Sequence, residues 1–306
     1  MKKTLLIFFT VGALLLCACG KGNNGESGTE GGNTDMLPQL GGEITSEADG
    51  NGKLPHYTAV SEKDAKAAME AVCDGFDSDS TETIKEGLKL RSLSFGESNV
   101  YILTAELDKF SIKTSTPYGL APDGTLQSLL GQKQLAEKNG IKAVAAIATN
   151  EVNKATNIPK GMLITGGKLL YTAKGNDGSV FFGLYEDGTP FACTYSEYTE
   201  IYRNNVSEMV SAAHIIALNG KAVSVAGSIH TEKTTRTGGG FYADGSKLCI
   251  VYGENIDTDQ LSKLLIGSGC SVGVSFDSGS ELGLLCENNM YGTNIAVGPA
   301  LLITEK

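Results

Sequence analysis

The chain has 306 residues, of which 41% are hydrophobic and 39 are glycine, and it carries a formal net charge of −10. That length and apolar content suffice to bury a substantial core, and the glycines point to many turns in a strand-rich fold. The acidic balance argues against nucleic acid as a partner, because phosphate backbones are gripped by basic surfaces.

At the N-terminus, Lys2 and Lys3 precede an apolar run from Leu5 to Leu16. The run is too short to span a bilayer comfortably and fits a secretory leader. Leu16-Cys17-Ala18-Cys19 resembles a bacterial lipobox, in which small residues precede a cysteine that is diacylated and becomes the new N-terminus. Residues 1–18 are therefore expected to be a lipoprotein signal peptide, with Cys19 as the lipidation site and the membrane as a partner through that anchor. An ordinary cleaved signal or an uncleaved anchor is the alternative. From Gly20 to about Lys53 the composition is Gly, Asn, Ser, Thr and acidic residues, too polar to form a core. Residues 19–56 read as an acylated cysteine and a tether, with an end-to-end span on the order of 30 Å. The folded domain is expected over 57–306, on the extracytoplasmic face of the envelope.

Ser61 can cap a helix whose Ala65, Ala68, Met69 and Val72 fall on one face. An acidic loop is expected around Asp77 to Ser80, followed by strands over Leu88–Phe95, Asn99–Ala105 and Phe110–Thr114. Leu126 to Asn139 reads as an amphipathic helix stopped by Gly140. Lys142 to Thr149 is a nearly continuous apolar strand, as expected of one buried on both faces. Three strand–turn–strand units follow: Met162 to Ile164 before Gly166-Gly167, Phe181 to Tyr185 before Asp187-Gly188, and Ile215 to Leu218 before Asn219-Gly220.

Arg236 to Gly240 then reads as a strand running into an Asp244-Gly245 turn, with Lys247 to Tyr252 returning. A helix is expected from Thr258 to Leu265, capped by Asp257 with Asp259 in its first turn. An apolar strand from Cys270 to Phe276 leads into Asp277-Ser278-Gly279-Ser280, and another runs from Leu282 to Cys286. The pattern predicts a mixed α/β (α+β) single domain of strand-rich sheets with hairpins and a few flanking helices. Cys249, Cys270 and Cys286 lie in apolar strands and read as small packed hydrophobes rather than disulfide partners, and zinc would need clustered Cys and His ligands. Glu254 to Asp259 lacks the ligand order of a calcium loop. No cofactor is called for, metal ligands are not assigned, and a divalent cation stays open.

The order of these motifs resembles the phosphodiester glycosidase domain family, from about Leu88 to Ile303. In that family an R-T-A-I-G strand leads to a D-G turn, and after a helix an apolar strand ends in L-D-G-G-G-S. Arg236, Thr237, Gly240, Asp244 and Gly245 match the first motif, and Asp277 and Gly279 match the second. Pro159-Lys160-Gly161-Met162-Leu163-Ile164 and the following Gly167-Lys168 match its P-x-G-L-x-I strand and G-K turn. Ser278 and Ser280 stand where the family has glycine, and Glu281 where it has serine. Asn150 is displaced from the family's A-I-N-G-G-F turn, whose glycines are missing.

The resemblance implies a hydrolase acting on glycosyl-phosphate linkages in envelope or external glycans, with a glycan or sugar phosphodiester as partner. Arg236 would hold the phosphate, since a guanidinium offers paired donors. Asp277 would serve as acid, base or electrostatic partner, its pKa raised by desolvation at the end of an apolar strand. Asn150, the backbone of Gly238, Gly239 and Gly240, and Ser278, Gly279 and Ser280 would bind substrate. Each has a structural alternative: an ion pair for Arg236, turns for Asp277 and Asn150, and close strand packing for the glycines. Glu281 reads as solvent-facing, and His230 and His214 as a loop and a core histidine. A catalytically inactive descendant that binds a glycan or envelope partner is the rival reading. A transporter's substrate-binding lipoprotein would need two similar lobes, and no duplication is visible.

If Cys19 is the anchor, Cys19→Ala releases the protein from the membrane fraction and abolishes metabolic acyl labelling. Unchanged fractionation and labelling would refute the anchor.

Overall fold

The structure is a computed structural model that describes residues 57–173, 180–195, 197–198, 205–227 and 230–306. The leader, Cys19 and the tether lie outside the described residues. The elements run α1 (Glu62–Glu70), β1 (Ser78–Lys85), β2 (Leu88–Phe95), β3 (Ser98–Glu106), β4 (Phe110–Ser115), β5 (Gln127–Ser128), α2 (Leu129–Lys138) and β6 (Ala143–Ala148). There follow β7 (Met162–Thr165), β8 (Lys168–Thr172), β9 (Val180–Tyr185), β10 (Pro190–Thr194), β11 (Val206–Ala212), β12 (His214–Leu218) and β13 (Lys221–Ala222). The last part comprises β14 (Thr234–Phe241), β15 (Lys247–Ile256), α3 (Thr258–Gly267), β16 (Val272–Ser278), β17 (Gly283–Cys286), β18 (Asn289–Gly292), β19 (Ala296–Val297) and β20 (Ala300–Glu305). This is the strand-rich mixed α/β domain expected from the sequence.

Local chemistry sets these boundaries. Ser61 caps α1 by accepting from the Asp64 N–H, and Met69 and Val72 are buried on the expected face. Asp257 caps α3 in a reciprocal box with Gln260, whose side chain accepts from the Asp257 N–H. Asn219 and Gly220, at φ 51° and 71°, supply the left-handed turn between β12 and β13. One expectation is corrected: the acidic segment at Asp77–Ser80 is not a loop, because β1 begins at Ser78 and pairs with β2. β1 is an edge strand with little apolar surface to reveal it, held by its ladder and by the Asp79–Arg91 ion pair at 2.6 Å. The second helix also starts later than expected, at Leu129 under a Ser128 cap. Its buried face includes Gln132, which donates to Gly298 O at 2.7 Å.

All strand pairs in the three larger sheets are antiparallel. An eight-stranded sheet has the order β1-β2-β3-β15-β14-β16-β12-β13, and two five-stranded sheets have the orders β10-β9-β11-β7-β8 and β18-β17-β6-β20-β4. Residues from all three sheets meet in one core, in which Phe182 stacks on Phe241 at 4.2 Å and meets Phe276 edge-on at 5.3 Å. The other face of the eight-stranded sheet is covered by α1 and α3. β15 serves both sides, with Leu248, Ile250 and Tyr252 in the main core and Cys249 and Val251 under the helices. β6 lies between β17 and β20 and is buried throughout. A carboxylate also helps to join the sheets: buried Glu208 accepts from Lys113 Nζ at 2.6 Å and from the N–H groups of Thr114 and Gly166, both at 2.8 Å. Among the described residues, no helix is long and apolar enough to cross a membrane.

β14 is central, between β15 and β16, and its Gly238-Gly239-Gly240 run permits the packing on both sides. A Cβ at Gly238 would stand 2.6 Å from Val274 O and 3.2 Å from the Leu261 side chain, and one at Gly239 2.8 Å from the Phe276 ring. Gly238→Ala should lower stability by about 1–3 kcal/mol through overpacking, measured by urea unfolding. An unchanged midpoint would mean that the sheet yields to the added methyl group.

Candidate functional site

Asp277 sits at the end of β16, where the pairing with β14 carries an irregularity: Thr237 is opposite Asp277, but Gly238 is opposite Ser275. Such a bulge bends the strand and re-aims a side chain. Thr237, sharing its face with Asp277, directs its hydroxyl to Ala148 O at 3.5 Å, the end of β6. The half-buried Asp277 carboxyl accepts from the Ser278 N–H at 2.7 Å. Burial raises its pKa from the ordinary 3.8 to about 7; the Ser278 hydrogen bond opposes the rise, the charge of Glu151 adds to it, and Lys154 and Lys160 counter it.

These neighbours come from the segment after β6. Thr149 and Asn150 are buried, and the Asn150 amide is engaged at both ends: Nδ2 donates to Lys160 O at 2.9 Å, and Oδ1 accepts from the Ser211 N–H and the Thr149 hydroxyl, both at 3.2 Å. Asn150 therefore fixes the base of the Glu151–Lys160 loop against β11. That loop closes on itself through a Val152–Pro159 bridge and a Glu151–Lys160 ion pair at 2.8 Å. Glu151, Lys154 and Lys160 are all exposed, so the loop offers solvent-accessible charge beside a desolvated carboxyl.

Two histidines pack against each other near the start of α3. His214 begins β12 opposite Ser275, and its half-buried ring meets His230 edge-on at 4.8 Å. His230 Nδ1 lies 3.4 Å from the Thr258 hydroxyl at the start of α3. Burial holds both imidazoles below their ordinary pKa of 6.5. His230 lowers His214 further while Glu151 opposes, and the charge of Arg236 adds to the effect on His230. Both rings are thus neutral near pH 7.

Arg236 follows a different course. It is opposite Ser278 in the ladder, one residue from Thr237, so its side chain leaves the other face of the sheet from Asp277. It is 2% exposed, with Nε donating to Ile256 O at 3.1 Å and Nη2 to Glu232 O at 2.8 Å. These bonds tie the segment before β14 to the residue preceding the α3 cap. The expectation that Arg236 and Asp277 line one pocket is corrected accordingly: the strands are neighbours and the faces opposed.

The glycine run is corrected too. Gly238, Gly239 and Gly240 are buried mid-strand between two paired neighbours, which leaves no cradle of N–H groups for a phosphate. Of the residues after Asp277, Ser278 is half-buried, Gly279 turns the chain at φ 140° with its N–H on Thr235 O at 2.9 Å, and Ser280 is exposed, as is Glu281. The residues that come together are therefore Asp277, Glu151, Lys154 and Lys160, with Asn150 supporting them, whereas His214, opposite Ser275, is on the face that Arg236 takes. The loop charges carried no sequence signal beyond their closeness to Asn150. Two surface depressions, of about 620 and 390 Å³, are lined by other residues, the first by Val72, Phe95 and Lys233 and the second by Lys85 and Glu137 among them. Among the described residues, no group of three or more His, Cys, Asp or Glu side chains is placed to hold a metal ion.

The phosphodiester glycosidase family model matches residues 141–304, more than half of the chain. Among solved structures, the chain is similar to the catalytic domain of zebrafish N-acetylglucosamine-1-phosphodiester alpha-N-acetylglucosaminidase, auto-inhibited by its pro-peptide. The TM-score is 0.56 at 15% identity, over 75% of this chain and 82% of that one. It is also similar to a hypothetical protein from Synechocystis, with a TM-score of 0.51 at 10% identity, over 75% of this chain and 64% of that one. At these identities the likeness is one of fold. No curated protein sequence matches the chain.

Because Arg236 holds two main-chain carbonyls, Arg236→Ala should lower stability by about 1–3 kcal/mol, the cost of leaving buried acceptors unpaired. Urea unfolding of the variant checks this, and wild-type stability would return Arg236 to a ligand-binding role.

Proposed function

The chain belongs to the phosphodiester glycosidase family, and we propose that it hydrolyses a glycosyl phosphodiester, with Asp277 supplying the proton. The observation that carries this reading is a desolvated carboxyl with a pKa of about 7, set beside the exposed Lys154 and Lys160. A carboxyl that is protonated near neutral pH can donate to an anionic phosphate oxygen, whereas an ionised one would repel it. The two ammonium groups supply the attraction for the diester that Arg236, turned to the other face, does not.

In this reading the bond between the sugar C1 and the bridging phosphate oxygen breaks, and water adds to C1. The Asp277 proton passes to the departing phosphomonoester oxygen. The proton lost by the attacking water passes to bulk solvent. The domain would work at the outer face of the envelope, held by a diacylated Cys19 on the tether of residues 19–56, with residues 57–306 as the catalytic unit and envelope or external glycans as substrates.

A second reading has specific support. Ser278 and Ser280 replace family glycines, and the Asn150 amide and the Arg236 guanidinium are both engaged with main-chain groups. An inactive descendant that binds the same class of ligand would keep the lysines and dispense with the chemistry.

The test is turnover of an N-acetylglucosaminyl phosphodiester by the purified chain. With Asp277 as the acid, kcat/KM falls as pH rises through about 7, because the protonated form is lost above the folded-state pKa. Asp277→Asn lowers kcat by about 100-fold or more with the fold intact, since the amide keeps the shape and cannot release a proton. Full turnover in the variant would sink the assignment, and saturable binding without turnover would favour the binding module.

A further inference from the structure

Two buried cysteines meet on the helix-covered face of the eight-stranded sheet, across a strand that separates them. Cys249 lies on β15, and Cys270 lies in the turn between α3 and β16. β14 runs between those strands, with Gly240 directly opposite Cys249. A Cβ at Gly240 would stand 2.8 Å from both Cβ and Sγ of Cys270, so the Cys270 side chain occupies the space that any other residue at 240 would fill. Residues opposed in an antiparallel ladder have Cβ atoms about 5 Å apart. Cys270 is therefore placed over β14 on the side of Cys249. Both side chains are fully buried in the cluster that includes Leu261, Leu264 and Leu265 of α3. The Cys249 thiol has further polar contacts with Ser268 O at 3.9 Å and the Thr104 hydroxyl at 3.6 Å.

We propose that Cys249 and Cys270, both thiols in this structure, are a disulfide-forming pair that closes across the gap left by Gly240 by exchange with an external disulfide. One of the two thiolates attacks one sulfur of that disulfide and releases a thiolate. The other cysteine, on losing its proton, then attacks the protein sulfur of that mixed disulfide and releases the second thiolate. In sum, the two protein thiols give up two electrons and two protons, and the external disulfide is reduced to two thiols. Neither sulfur is open to an external disulfide in the folded protein, so closure belongs to folding, before α3 covers the sheet. The bridge encloses α3 in its loop and clamps that helix, and with it the Asp257 cap, to β15. This inference is independent of the activity proposed above.

The test is a peptide map of the full chain exported to an oxidising periplasm, with free thiols trapped by N-ethylmaleimide on recovery of the folded protein. Trypsin cuts after Lys247 and Lys263 and so places Cys249 in peptide 248–263 and Cys270 in peptide 264–306, which also holds Cys286. The expected result is the two peptides joined, with fragmentation locating the bridge at Cys270, maleimide on Cys286, and separation of the pair on reduction. Maleimide on both Cys249 and Cys270, or a bridge from Cys249 to any other cysteine, overturns the proposal.

Discussion

The eight-stranded sheet depends on three consecutive residues without side chains at its centre. β14 is paired on both edges and covered on both faces, by the main core on one side and α3 on the other, so it has nowhere to put bulk. With glycine at 238, 239 and 240, Leu261 descends onto the sheet, Phe276 lies against the strand, and Cys270 crosses it. Close packing of this kind leaves little room for compensation, because protein interiors are as dense as organic crystals. The same run that suggests a phosphate-binding loop by composition is a device for bringing layers together. Glycine is valuable here for the volume it leaves free.

At the end of this sheet, the bulge in the β14–β16 pairing separates two residues that look like partners in sequence. Thr237 and Asp277 turn toward the end of β6, while Arg236 turns to the opposite face and anchors the entrance to α3. Asp277 is consequently surrounded by apolar sheet on one side and by a charged loop on the other. Burial dominates its protonation behaviour, and Glu151 and the two lysines adjust it in opposite directions. Asn150 makes the arrangement rigid by spending its amide on main-chain groups of β11 and the loop.

Much of the architecture was legible in the residues. The capping signals at Ser61 and Asp257, the Asn219-Gly220 and Asp244-Gly245 turns and the apolar run of β6 are local devices, in which a side chain or a positive φ acts on backbone a few residues away. β1 was not legible, since an exposed edge strand buries little and carries no apolar alternation. The interior position of Gln132 on α2 was not legible for a related reason: Gly298, far along the chain, supplies its partner.

By itself, the sequence determined the strand-rich class, the order of hairpins and helices, and Asp277 as the carboxyl at the end of an apolar strand. Each follows from periodicity, turn chemistry or capping, which act over a few residues. Only the tertiary structure decided which face each side chain took. A one-residue irregularity in register reverses that assignment, and no local signal marked it. It also decided that Lys154 and Lys160 stand near Asp277 and that Arg236 does not share its face. Those relations depend on how β6, β12, β14 and β16 are brought together, through contacts between residues far apart in the chain.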